Sequence, residues 1–493
     1  MPSRPAPLAC APALLVLGVA LASLSGCSAV TNIPQESCTE NQQCRDGFGL
    51  GWVCDTGSGL CQEAESNSLC KDVYPSDLLT NSDKYPGDTI LFATLLDGMG
   101  DIQMIRSANL AIEQVKNNGL EGRAFGVINC SYGTDSDVER QLDDAVEASR
   151  HVVDKYGVVA IIGPGTSSIA EAIYNEVKDE VLIISPSATS DSLTFIDGMN
   201  KSFDTPGLFW RTAPPDSGIA RRMADELVNS GRVKPALIFK DGAYGNNLAD
   251  LLTKSLQEQG LILEKFAYTD SSTDLGVAMN NVGNLQGVDE IVFIADSNPD
   301  VVTFLTDAAT RSMNVNSSFA TASLMLGDAG FSETNVLALL PPAVTTAFVD
   351  TNKIRGVKPK SPSLSDPAFS AFSTAYSGAY PGDSPANAGY TAESYDATWL
   401  AIYGSAWALY NEDGITPRGM AKGLHRISNG NPFDINATSW NTIRSAFEAG
   451  VGVNITGASG NLDFDDASEE TAGIGELWII VDMGGVLSYM ILG

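Results

Sequence analysis

Residues 158–195, VVAIIGPGTSSIAEAIYNEVKDEVLIISPSATSDSLTF, read as strand, tight turn, helix, strand, tight turn, and that succession admits few folds. Val158–Ile162 is a continuous apolar run, as expected of a strand buried on both faces of a parallel sheet. Gly163-Pro164-Gly165 breaks it, and Thr166, Ser167 or Ser168 can cap the helix that follows. Val181–Ile184 is a second buried strand, running into Ser185-Pro186-Ser187-Ala188-Thr189-Ser190. Two neighbouring parallel strands would thus deliver hydroxyls and free backbone N–H groups to one sheet edge. In open α/β sheets that edge is where ligands sit, and helix N-termini there favour anionic groups. A small carboxylate-bearing molecule suits it.

The same alternation runs on from Thr89. Thr89–Leu96 and Phe125–Asn129 read as strands, with helical periodicity over Ile102–Asn117 and Asp135–Tyr156. Leu208–Thr212 is a further strand, and Ala213-Pro214-Pro215-Asp216 a break. A second series begins at Ala236–Lys240 and continues through Ile262–Tyr268, Glu290–Ala295 and Phe319–Leu324, each separated by a helix. Alternation on this scale predicts parallel sheets in two doubly wound, Rossmann-like lobes.

The N-terminal segment, residues 1–86, is different. Residues 1–26 carry Arg4 and the apolar run 11–24, too short for an ordinary membrane span, and read as an export signal. Leu24-Ser25-Gly26-Cys27 resembles the bacterial lipobox, in which the Cys is acylated, here with palmitate or a similar chain, and becomes the mature N-terminus. That pattern implies an envelope protein anchored to a membrane facing the periplasm or exterior rather than spanning it. Residues 27–86 then form a polar tether and a Cys-rich segment. Of the 8 cysteines, Cys10 would leave with the signal and Cys27 would be acylated. Cys38, Cys44, Cys54, Cys61, Cys70 and Cys130 remain, an even number in an exported chain, which argues for disulfides. Cys70 precedes the α/β region and Cys130 ends its second strand, so these two are expected to pair, the other four among themselves in an order the spacing leaves open. No His lies among them and the spacings are not CxxC, so no metal is expected. The segment is too small for a hydrophobic core and reads as a spacer or small interaction module.

IIGPGTSSIAEA followed by ISPSATSDSLT resembles the leucine/isoleucine/valine-binding proteins of bacterial ABC transport, the type I periplasmic binding proteins. LFATLLDG (91–98), KDGAYGNNLAD (240–250), IRGVKP (354–359), AESYDATWLA (392–401) and ITGASGNLDFD (455–465) extend the likeness from Thr89 to the C-terminus. The resemblance implies two lobes joined by a three-strand hinge, with crossings near 212–215, 355–359 and 457–463. Lobe one would be 87–212 plus 358–457, lobe two 213–356 plus 460–493. A cleft between such bodies closes on its ligand. By the same resemblance Ser167 and Ser168 in the first turn and Ser187, Ala188 and Thr189 in the second would hold the ligand's carboxylate and polar head. Tyr244 would cover it from lobe two, and Asp296, with Asp97 a weaker counterpart, would face the cleft. Tyr395-Asp396 belongs to the pattern, but Trp399, Leu400 and Ile402 beside it look like packing.

One departure matters. Amino-acid binders of this kind place a carboxylate after the strand Ile262–Tyr268, where this chain has Ser272. A hydroxyl cannot neutralise a buried ammonium. Asp296, then Asp270, are the acids expected to take over.

Catalysis and cofactors are not expected. The chain has 2 His, neither beside a Cys, a Ser turn or an acidic ligand pattern, and no GxSxG, HExxH or GxxxxGK[ST]. Lys+Arg 29 against Asp+Glu 60 gives a net charge of −31, which disfavours nucleic acid and anionic lipid as partners. The sequence therefore predicts a lipid-anchored solute-binding protein delivering a small polar ligand to an ABC permease. A receptor-like sensor without transport is the other reading, and the Cys-rich segment is what favours it.

Overall fold

The computed structural model describes residues 37–98, 100–133, 138–360 and 362–492. The signal segment and Cys27 lie outside the described residues. Two sheets organise the chain. The first runs in the order Asp72–Tyr74, Phe125–Ser131, Ile90–Leu96, Ala160–Ile162, Leu182–Ser185, Phe209–Arg211. Its first strand is antiparallel to its neighbour and all other pairs are parallel. Every residue of Ile90–Leu96 is buried, because helices cover both faces. The second sheet orders Glu264–Tyr268, Pro235–Lys240, Glu290–Ile294, Ser323–Leu326, Ile354–Pro359, Gly475–Asp482 and Leu487–Leu492. The last two strands pair antiparallel and close its edge as a hairpin. The fold is the type I periplasmic binding architecture of two lobes.

Local chemistry accounts for the element ends. Gly163 has φ +132°, and a Cβ there would lie 2.3 Å from the Leu95 carbonyl oxygen, so the turn after Ala160–Ile162 requires glycine. The strand expected over Phe319–Leu324 begins instead at Ser323. Ser317 caps Ser318–Ala320 as a tight turn by accepting from the Phe319 N–H, which delays the extended segment.

Helix Thr391–Asn411 is the spine of lobe one, buried over most of its 21 residues. Trp399 and Tyr403 pack against Trp440, so the apolar part of the YDA motif is core. Its polar members fasten the turn after Val453–Gly457 and the first crossing. Asp396 accepts from the Ala458 N–H at 2.8 Å and from the Ser459 N–H at 2.7 Å, while the Thr212 hydroxyl donates to the Glu393 carbonyl at 2.8 Å. Burial pushes the Asp396 carboxyl up to about 7.

The third crossing lies further along the chain than 457–463. Glu470 is ion-paired to Arg211, which has no exposed surface, and Glu469 lies 3.4 Å from buried Lys201. His425 meets Glu469 at 2.8 Å. These contacts hold 464–471 against lobe one, and the chain enters the second sheet at Gly475.

The Cys-rich segment carries disulfides Cys38–Cys54 and Cys44–Cys61, and Cys70 is bonded to Cys130. It is not a free spacer. Leu50, 1 % exposed, joins the core of lobe one, and Arg45 donates to the Lys155 carbonyl at 2.9 Å. Asn41 and Gln42 add bonds to the carbonyls of Asp154 and Gly87. A segment without a core of its own borrows the core of its neighbour.

Candidate functional site

The C-terminal ends of strands from both sheets converge on one cleft of about 570 Å³. From lobe one, Asp97 follows Ile90–Leu96, Ser167 and Ser168 follow Ala160–Ile162, and Ser187 follows Leu182–Ser185. From lobe two, Lys240 ends its strand, Asp296 follows Glu290–Ile294 and Asp328 follows Ser323–Leu326. Parallel strands whose carboxyl ends face one crevice produce this convergence.

Ser168 acts across the cleft rather than as a helix cap. Ser168 Oγ accepts the Ala243 N–H at 3.0 Å, the first residue of the lobe-two helix Ala243–Glu258. Ser167 Oγ accepts the Ser190 N–H at 3.1 Å, and the Ser187 hydroxyl donates to the Gly165 carbonyl at 2.9 Å. The Ser190 hydroxyl donates to the Ala243 carbonyl at 3.0 Å. At the opposite rim Asn335 Nδ2 donates to the Gly100 carbonyl at 3.0 Å. Hydrogen bonds thus join the lobes at both rims.

Of the expected ligand residues, Ser167, Ser168, Ser187, Tyr244 and Asp296 line this cleft together. Ala188 and Thr189 lie beneath it. The Ala188 N–H is taken by Ser185 Oγ and its carbonyl by Arg211, while the Thr189 carbonyl accepts the Asp216 N–H. In the loop after Glu264–Tyr268, Ser271 reaches the cleft but neither Ser272 nor Asp270 does. Asp270 accepts the Ser272 N–H and hydroxyl, each at 2.7 Å, and that holds its carboxyl below the usual range.

The structure adds residues that sequence patterning missed. Asp328 accepts from the hydroxyls of Tyr244 and Tyr390, one from each lobe. Burial raises its carboxyl, the two phenols opposing the shift. Lys240 Nζ lies 3.2 Å from Asp300, which also accepts the Tyr268 hydroxyl at 2.8 Å. Asp101 accepts the Asp97 N–H at 3.0 Å, and burial, with Asp97 second, pushes its carboxyl up to about 8. Asp296 is raised by burial against the pull of Lys240. Asp101, Asp296 and Asp328 follow or end a short loop, where side-chain periodicity carries no signal.

A two-lobed α/β fold with a ligand-sized cleft between its lobes is the build of a protein that closes on a small molecule. Residues 98–442 match the periplasmic binding protein family, and the chain belongs to that family. It is 25 % identical over 378 residues to the chemotactic signal transduction system substrate-binding protein BasB of Halobacterium salinarum, covering 75 % of this chain and 80 % of that one. It also resembles LivK, a leucine binding protein of Thermotoga maritima, with a TM-score of 0.58 and 16 % identity over 82 % of this chain and 99 % of that one. A solute-binding protein of R. palustris in complex with 4-hydroxybenzoate gives a TM-score of 0.61 at 14 % identity, over 82 % and 96 %. Among the described residues no helix is long and apolar enough to cross a membrane.

Proposed function

We propose that this chain is a lipid-anchored extracytoplasmic receptor that captures a small polar, amino-acid-like solute and delivers it to an ABC transporter. The observation that carries this reading is the cleft itself, lined from one lobe by Ser167, Ser168 and Ser187 and from the other by Tyr244 and Asp296. The serine hydroxyls and the N-terminus of helix Ser167–Val177 suit a carboxylate or polar head, and Asp296 suits a cationic group. Ligands of the size bound by the similar structures, leucine or 4-hydroxybenzoate, are within the capacity of such a cavity. Acylation of Cys27 would hold the protein at the membrane.

A sensing role is the second reading. It rests on the relative in a chemotactic signal transduction system and on the Cys-rich segment fastened to lobe one. Deleting the gene separates the two: transport requires loss of uptake of the bound solute, sensing requires loss of response with uptake intact. Cys27→Ser tests the anchor. Release of the protein from membranes, or its accumulation unprocessed, is expected; a mature protein that starts elsewhere and carries no lipid would refute it.

A further inference from the structure

The cleft has a charge that its volume does not explain. Five aspartates line it, Asp97, Asp101, Asp296, Asp300 and Asp328, against one cation among the described residues, Lys240. That lysine is already committed, 3.2 Å from Asp300 and over the Tyr268 ring at 5.2 Å. Asp101 on the lobe-one wall and Asp296 and Asp328 on the lobe-two wall form no ion pair among the described residues, and Asp296 feels Lys240 only at a distance. Within electrostatic reach of Asp328, Tyr244 and Tyr390 lies Asp216, a further acid with no exposed surface, whose carboxyl burial and Asp328 push up against the pull of Thr189 and Arg211. An acid-rich surface is cheap because water solvates it; carboxylates brought together when two lobes shut are not.

A zwitterion corrects little of this. Its ammonium meets one aspartate, but its own carboxylate adds back a charge that only serine hydroxyls and backbone N–H groups are placed to receive. Resting on the solute-binding reading above, we infer that the ligand is a small organic cation with two nitrogen-centred charges, one ammonium or guanidinium group meeting Asp101 and the other meeting Asp296. A diamine and a basic amino acid share this chemistry. The acids are shared between the lobes, so the cation bridges them and draws the cleft shut.

The raised Asp101 carboxyl supports the same assignment. Asp97 and the Tyr132 phenol face it, and neither supplies positive charge. A cation arriving beside Asp101 would lower that carboxyl again, so its binding is coupled to proton release.

The test is calorimetry on the full chain at pH 7, with putrescine, L-arginine, L-leucine, 4-hydroxybenzoate and calcium chloride as probes. Putrescine or arginine is expected to bind at least about tenfold more tightly than leucine or 4-hydroxybenzoate, and to release protons, read as a heat that changes with buffer ionisation enthalpy. Which of the two wins distinguishes diamine from amino acid. Asp296→Asn and Asp101→Asn should each weaken that binding about tenfold or more, while Asp250→Asn, at an exposed acid outside the cleft, leaves it unchanged. Leucine or 4-hydroxybenzoate binding as tightly as the cations would overturn the charge assignment and leave the solute-binding reading standing. So would calcium binding without either organic cation, or cation affinity indifferent to both cleft variants. Silence from every probe would count against both readings.

Discussion

Ser168 and Ala243 belong to different lobes, yet the hydroxyl of the first accepts the backbone N–H of the second at 3.0 Å. The serine that family likeness assigns to the ligand is thus also a latch. Ser168→Ala should remove about 1 kcal/mol of closure and shift the ligand-free protein toward an open form. Small-angle scattering should show a larger radius of gyration than the wild type. Identical profiles would mean that the remaining rim contacts alone hold the cleft shut.

Asp101 should make stability depend on pH. Its carboxyl stands near 8 in the fold, against about 4 in an unfolded chain, so folding takes up a proton between those values. Its contribution is therefore intact below about pH 4 and is lost as pH climbs toward 8. Asp97 and Tyr132 are the groups facing it. The ligand-free wild type should lose melting temperature from pH 5 to pH 9 more steeply than Asp101→Asn. Parallel curves would remove Asp101 from the account.

The disulfide Cys70–Cys130 closes 60 residues and ties the edge strand Asp72–Tyr74 to the second strand of the sheet. Replacing both cysteines with alanine should cost about 4 kcal/mol by the loop-entropy argument. Chemical denaturation measures it, and a loss under about 1 kcal/mol would show that noncovalent packing already restrains the segment.

Asp396→Ala should cost more than its size suggests. It strips partners from the Ala458 and Ser459 N–H groups, in the turn after Val453–Gly457 of lobe one, at about 2–4 kcal/mol. Thermal melting should fall while Trp399→Phe, a volume change in the same helix, is tolerated better.

How legible this was in the sequence depends on where a residue sits. Buried parallel strands announce themselves: Ile90–Leu96 and Glu290–Ile294 are buried throughout and, Thr94 and Glu290 apart, apolar, because both faces are covered. Ser167, Ser187, Tyr244 and Asp296 could be placed at the cleft because each stands just past such a strand or at the helix after it. Asp101 and Asp328 could not, since nothing local marks a loop acid as facing another lobe. Thr189 shows the converse failure. Its position after a strand is right, but Arg211, arriving from the next strand, draws the carbonyls of Ala188 and Ser190 beneath the cleft. The third crossing was misplaced for a similar reason, since Glu469 and Glu470 are held by Lys201 and Arg211, more than 250 positions away in the chain.

The seating of the Cys-rich segment has a mechanical meaning. With Leu50 in the core of lobe one, Arg45 on the Lys155 carbonyl and Cys70 bonded to Cys130, the segment and that lobe move as a single body. Any pull on the chain ahead of Cys38 is transmitted to lobe one and not to the hinge. Lobe one is then the fixed jaw relative to whatever holds the N-terminus. The outer face of lobe two is the surface that travels when a ligand arrives and leaves.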